Sequence, residues 1–292
     1  MAVNLPWKLY YSSLDKAAKE GEEVARIYKF AKPPVDPFAI IEQERELIHA
    51  EGYDFGDAFD GRIKYVGPRF LICYNTRYNA WRHSGDLHSK IIFTICHELG
   101  HFFLPKHREY LVTSKKPHGS FTEFSADPLV EKQADFFASG LLMPGFLMRP
   151  NINKQNFVSC EEFLDVRGRF QVSVTGMMVR WVQLSDFPCA TIAIRNGRVL
   201  YGWVSKSLRE RGAWALRKGE SVRGRNVQSF INADPNVRRF RKANGSGAVF
   251  DWIDYDKVRL LTQEFYFAIP HSQTVWAMVM ADESDLEDAW ES

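Results

Sequence analysis

The chain has 292 residues, 45% of them apolar and 25% charged, the balance of a globular protein long enough to bury two modest cores. A formal net charge of +2 argues against a surface that binds nucleic acid over its whole extent. No run reaches the apolar length of a membrane span and residues 1–7 lack the regions of a signal peptide. Four scattered cysteines, Cys73, Cys96, Cys160 and Cys189, read as reduced core thiols, so a cytoplasmic protein without a disulfide frame is expected.

From the N-terminus, Ser13 to Phe30 has the pattern of an amphipathic helix, with Leu14, Ala17, Val24, Ile27 and Tyr28 toward one side and Pro33-Pro34 as its break. Asp36-Pro37 opens a second predicted helix that runs to about Ala50, with Phe38, Ile41, Leu47 and Ile48 inward. A turn at Asp60-Gly61 leads into short strands, Arg62 to Val66 and Arg69 to Tyr74, joined at Gly67-Pro68. An edge strand beside a catalytic site can hold an extended peptide by main-chain hydrogen bonds, and residues 65 to 75 are the candidate for that role.

Ser89 to Leu104 reads as a buried helix. Ile91, Ile92, Phe93, Ile95, Leu99, Phe102 and Phe103 make it apolar nearly all round, and Pro105 stops it. Within it lies His97-Glu98-Leu99-Gly100-His101, the H-E-x-x-H pattern, which the chain's own His and Glu frequencies produce by chance in roughly one such sequence in a hundred. Residues four apart on a helix lie one above the other, so both imidazoles can reach one tetrahedral ion. Glu98 sits beside them, placed to accept a proton from an attacking water. Two core histidines bonded to backbone are the competing reading; a metal satisfies all three polar groups at once.

A catalytic zinc takes three protein ligands, so a third is needed. Glu131 is the best candidate. It lies on the buried face of a predicted helix from Glu131 to Pro144, along with Ala134, Phe137, Ala138, Leu141 and Leu142. Asp135 could bind the ion directly or hold a ligand histidine by its second nitrogen. Glu109, Glu123, Asp127, His107 and His118 fall in a loop-like stretch with no helical face to aim them. For stabilising an oxyanion, Tyr74, His107, Tyr110 and His118 are all available, and nothing in the sequence ranks them.

Phe93 to His101, paired with Glu131 to Ala138 and closed by Leu141-Leu142-Met143-Pro144, resembles the ImmA/IrrE metallopeptidases of bacteria and their mobile elements. The likeness extends to Phe70-Leu71-Ile72-Cys73-Tyr74-Asn75, the strand ending in asparagine ahead of the metal helix, and covers about residues 30 to 150. It implies His97, His101 and Glu131 as zinc ligands and Glu98 as catalytic base, in agreement with the spacing. It also implies a helix-turn-helix transcriptional repressor as substrate, cleaved to release stress-response or mobile-element genes. Lys90 and two isoleucines replace the family's usual arginines, and Cys96 stands where alanine is common.

Beyond the metal motif, Ser159 to Leu184 has the cadence of a helix-turn-helix with Ser173 as cap. Val174, Met178 and Trp181 form an apolar stripe better suited to packing on the protease domain than to reading DNA. After Pro188 the pattern turns to strands: a hairpin from Thr191 to Trp203 around Asn196-Gly197, then strands near Ala248 to Trp252, Val258 to Ala268 and Thr274 to Met280. Family members can carry a GAF-like sensing domain here. Lys206 to Lys242 is rich in arginine and the tail from Asp282 to Glu291 is acidic, the pattern of a solvated face or of a docking surface.

The expected architecture is α+β. A zincin-like metallopeptidase domain (1–150) is followed by a helical, helix-turn-helix-like connector (151–187) and a sheet-rich α/β domain (188–292) that regulates it or selects substrate. The expected cofactor is Zn2+, with Mn2+ or Fe2+ compatible with the same ligands. The expected partner is a protein substrate, with nucleic acid the less favoured alternative.

Overall fold

Small residues decide the first large contact of the chain. Helix α1 (Trp7–Ile27) buries Leu14, Ala17, Ala18, Val24 and Ala25, and it reaches its partner helix so closely at Gly21 that an added Cβ would lie 2.2 Å from the Phe137 carbonyl oxygen. The computed structural model describes residues 7–81, 87–114, 118–119, 128–254 and 261–282, which fall into two units. One comprises residues 1–147 with 169–173, the other 148–168 with 174–292. The mixed α and β architecture is as expected, with a helix-rich unit carrying the metal motif and a sheet-rich unit after it.

In the first unit, α2 (Pro37–Gln43) is capped by Asp36, whose carboxylate accepts from the Phe38 amide at 2.9 Å. It ends far short of Ala50. Ile48–Tyr53 instead forms strand β1, parallel to β3 (Arg69–Asn75) with Ile48 opposite Phe70, because β-branched Ile48 gains more from a sheet partner distant in sequence than from one further helical turn. Strand β2 (Gly61–Val66) pairs antiparallel with β3. Helices α3 (Ser89–Phe103) and α4 (Pro105–Ser114), the short β4 (His118–Gly119) and α5 (Pro128–Leu142) complete the unit. The sheet order is β1-β3-β2-β4.

This order corrects the reading of a substrate-binding edge over residues 69 to 75, the larger part of the 65 to 75 stretch: β3 is hydrogen-bonded on both sides and has no free edge to offer. It also corrects the loop assigned after the metal helix. Pro105 ends α3, but as the first residue of α4 it starts a new helix on which His107, Glu109 and Tyr110 lie.

In the second unit, α6 (Gly145–Ile152) is followed by α7 (Cys160–Phe170), which opens on a reciprocal cap: Ser159 Oγ accepts from the Glu162 amide and Glu162 Oε2 from the Ser159 amide. Helix α8 (Val174–Leu184) buries Met177, Met178 and Trp181, and it packs on β5 (Cys189–Arg195) and β6 (Arg198–Val204) of its own unit. The hairpin between those strands turns at Asn196 and Gly197, with φ of 51° and 68°, where glycine avoids the strain a side chain would bear.

Then come α9 (Lys206–Glu210), β7 (Trp214–Ala215), α10 (Arg225–Asn232), β8 (Arg241–Ala248), β9 (Ile253–Asp254), β10 (Leu261–Ile269) and β11 (Thr274–Ala281). The main sheet has the order β6-β5-β11-β10-β8. Phe265 and Phe267 meet Phe163 of α7 on one face, while Tyr266 meets Phe230 and Trp252 on the other. On that second face Glu264 is buried, and it accepts from Trp252 Nε1, Thr262 Oγ1 and Tyr266 OH. The strand expected at Ala248 to Trp252 lies earlier. Gly245 and Gly247 of β8 leave the room that Tyr266 and Glu264 fill, and the chain then breaks into a short helical turn at Val249–Asp251.

Two glycines give opposite expectations. A Cβ at Gly140 of α5 would stand 2.0 Å from the Ala18 carbonyl oxygen, whereas one at Gly168 of α7 meets nothing within 4 Å. Gly140→Ala is expected to lower unfolding free energy by about 1–3 kcal/mol through forced separation of α1 and α5. Gly168→Ala is expected to raise it by about 0.5–1 kcal/mol through helix propensity. Urea titration of both variants checks the signs.

Candidate metal centre

Helix α3 is fixed at both ends by local chemistry. His88 Nδ1 accepts from the Lys90 amide at its start, and at its end the Leu104 amide closes back on the Gly100 carbonyl before Pro105 turns the chain. His97 and His101, one turn apart, are 5% and 1% exposed, and their Nε2 atoms lie 3.1 Å from each other. Gly100 lets α5 approach: an added Cβ there would be 3.3 Å from the Ala134 backbone. Glu131, one turn before Ala134, therefore arrives opposite the two rings, with its carboxylate 3.4 Å from His97 Nε2 and 3.7 Å from His101 Nε2.

These three separations test the fit of an ion. Ligand atoms held at zinc's usual bond lengths in a tetrahedron stand about 3.3 Å apart. The two ring nitrogens stand 3.1 Å apart, the two Glu131 oxygens approach one ring each at 3.4 and 3.7 Å, and one ligand atom from each residue lies within 4.8 Å of the others; two imidazoles and a carboxylate are a set zinc accepts. The three residues form a group that could hold a metal.

Asp135 settles on one of its two readings. Its Oδ1 is 3.1 Å from His97 Nδ1, on the far side of the ring from Glu131, so it accepts from His97 there and leaves Nε2 facing the group. Lys132 Nζ holds its other oxygen at 3.1 Å. Burial would raise the Asp135 carboxyl, but the His97 hydrogen bond and the Lys132 charge hold it below the usual range. Burial likewise would lower His97. The bonds to Asp135 and Glu131 and the charge of Glu98 outweigh it, and His97 is pushed up to about 10. A proton on His97 Nε2 thus competes with a metal for that nitrogen.

Glu98 is fully buried on the same helix, and Gly61 at the start of β2 faces it so closely that a Cβ would meet Glu98 Oε1 at 2.7 Å and Thr94 at 2.3 Å. That contact was not legible beforehand, since Asp60-Gly61 reads only as a turn. The loop ahead of Gly61 is pinned by Asn75, 1% exposed, whose side chain accepts from the Phe55 and Arg77 amides and donates to the Gly56 and Phe59 carbonyls. Asp60 is tied in turn to Lys90 at 2.9 Å and to Tyr78.

The remaining candidates disperse. Glu109 is exposed, and Tyr110 is 46% exposed on α4. Tyr74 leans over Gly52 and meets Phe38 edge-on. Buried His107 faces His101 Nδ1 rather than the converging ligand atoms. Glu123, Asp127 and the side chain of His118 lie outside the described residues. In the arginine-rich stretch, Arg209 and Arg211 donate to nearby carbonyls, while Arg217, Arg223 and Arg241 pair with Asp254, Glu220 and Asp234. Among the described residues no helix is long and apolar enough to cross a membrane.

Residues 88–180 match the family model of the IrrE N-terminal-like domain, Peptidase_M78, and the resemblance seen in the motifs is borne out over that stretch. The family suggests a metallopeptidase, usually with zinc. No curated protein matches the chain. Among solved structures the chain is similar to a Mycobacterium tuberculosis transcriptional regulator, at 11% identity with a TM-score of 0.55, covering 95% of this chain and 83% of that one. At that identity the likeness is one of fold.

Because His97 holds its proton until about pH 10, metal must displace it. Zinc uptake at neutral pH is expected to release about one proton per site, and the apparent affinity to rise about tenfold per pH unit below that value. Calorimetry in buffers of differing ionisation enthalpy measures the release. In the metal-free protein, the stability contributed by this raised pKa is complete below the unperturbed 6.5 and is lost as pH climbs through about 10.

Proposed function

We propose that this chain, whose residues 88–180 match the IrrE N-terminal-like domain, is a zinc-dependent endopeptidase of the cytoplasm that cuts a helix-turn-helix transcriptional repressor. The observation that carries the proposal is the convergence of His97, His101 and Glu131 on one point, with Glu98 buried on the same helix. His97, His101 and Glu131 are assigned as the ligands. Zinc bound there supplies Lewis-acid chemistry, polarising a carbonyl and lowering the pKa of water.

The chain's own groups do the rest. Asp135 fixes His97 with Nδ1 protonated, so that Nε2 is the ligand atom. Glu98 is assigned as general base: its carboxylate takes a proton from the water that attacks the scissile carbonyl and delivers it to the leaving amine. Gly61 packs against that carboxylate, which limits its rotamers without putting a side chain in the way. In this reading the sheet-rich unit senses a signal or selects the repressor, and cleavage switches on stress-response or mobile-element genes.

A second reading is a zinc-containing regulator that binds a repressor or DNA without cutting. The fold likeness to a transcriptional regulator favours it. Glu98→Gln separates the two. The variant is expected to retain zinc at the wild-type ratio, measured by elemental analysis, while peptidase turnover falls by about 10²–10⁴-fold. His97→Ala and Glu131→Ala are expected to lose the metal. Mapping of new protein N-termini in cells making wild type or Glu98→Gln should show cuts in a helix-turn-helix protein with wild type alone. A Glu98→Gln chain that keeps full biological effect overturns the peptidase reading.

A further inference from the structure

His107 stands six residues after His101, and on one continuous helix that spacing puts two side chains on different faces. The chain does not continue. Leu104 leaves the helical region with ψ of 117°, and Pro105 begins α4, which brings the His107 ring back to within 5.0 Å of the His101 ring, centroid to centroid. His107 is 6% exposed, and each of its nitrogens has an assigned neighbour: Nδ1 lies 3.1 Å from His101 Nδ1, and Nε2 lies 3.1 Å from the side-chain oxygen of Gln133 on α5.

We propose that His107 is a positioning residue of the metal centre, and that Gln133 and His107 together set the tautomer in which His101 binds its ion. The inference rests on the metal-site reading above. An amide oxygen only accepts, so His107 Nε2 carries the proton and donates to Gln133. In the neutral ring Nδ1 is then bare, and it accepts from His101 Nδ1–H. His101 is left with the Nε2 lone pair aimed at His97 Nε2 and Glu131, where the ligand atoms converge.

The two ligand histidines are thus oriented by different chemistry. A carboxylate, Asp135, does it for His97, and a neutral imidazole backed by an amide does it for His101. The choice has an electrostatic reason. Glu98, Glu131 and Asp135 already bring three carboxylates to the two helices, and a fourth behind His101 would add like charge to a buried site. A neutral relay orients the ring without that cost. It also joins α4 to α5 directly, through His107 and Gln133.

The test uses the full chain and zinc itself, in competition with a chromophoric chelator. His107→Leu removes the acceptor and is expected to weaken zinc binding tenfold to a hundredfold, whereas His107→Asn, whose Oδ1 stands where Nδ1 stood, is expected to stay close to wild type. Long-range proton–nitrogen correlation spectra of the wild type are expected to show His107 protonated at Nε2 and His101 at Nδ1. Zinc affinity unchanged in His107→Leu, equal loss in the Leu and Asn variants, or His107 protonated at Nδ1 overturns the proposal while the metal site stands. A wild-type chain that takes up no zinc overturns both readings together.

Discussion

Everything at the candidate metal centre depends on how closely two helices approach. The i, i+4 spacing on α3 stacks His97 and His101 without help, but the third group comes from α5, which must come near enough for a short carboxylate to close the triangle. Gly100 and Ala134 make that approach possible at the contact itself. On the other side of α5, Gly21 and Gly140 let α1 press backbone against backbone. Helix α5 is held from both flanks by residues with almost no side chain, and side chains that must bring their ligand atoms within 4.8 Å of one another tolerate little slack in that clamp.

The second constraint is electrostatic. Burying charge is costly unless each charge has a partner, and this site buries two imidazoles and Glu98 within a largely apolar helix. For the two imidazoles, the groups behind the rings answer that cost. Asp135 is held by Lys132 and in turn orients His97, while His107 and Gln133 orient His101 with no added charge. Further out, Asn75 uses its amide to tie the loop before Gly61, and Gly61 then sets the position of β2 against Glu98. The residues of the proposed site are thus placed by others outside it.

What the sequence disclosed was whatever is local. The H-E-x-x-H pattern, the apolar face that carries Glu131, the Asn196-Gly197 hairpin and the strand expected at Thr274 to Met280 each follow from neighbours within a turn or a pleat. What it hid was set at a distance. Strand β1 exists because Ile48 finds Phe70, and β8, a run of Arg, Lys, Ala, Asn, Gly and Ser with no large apolar side chain, exists because β10 has Tyr266 and Glu264 to accommodate. The relation of His107 to His101 was hidden for the same reason: it depends on the break at Leu104-Pro105, where the sequence shows a helix ending but not where the next one points.

The two units also show contrasting ways to bury a carboxylate. In the sheet-rich unit Glu264 meets three donors, Trp252, Thr262 and Tyr266, and the network closes on itself. At the metal centre the geometry runs the other way. With Asp135 and His107 drawing the Nδ1 protons of His97 and His101, both rings present Nε2 to each other and to Glu131, so three acceptor atoms face one point. Three acceptors sharing a point repel unless a cation lies among them. The proton that His97 retains to about pH 10 meets that requirement in the metal-free chain, and a divalent ion meets it more fully because it bonds all three at once. The fold has thus built a site whose own hydrogen bonds leave one positive charge to be supplied from outside.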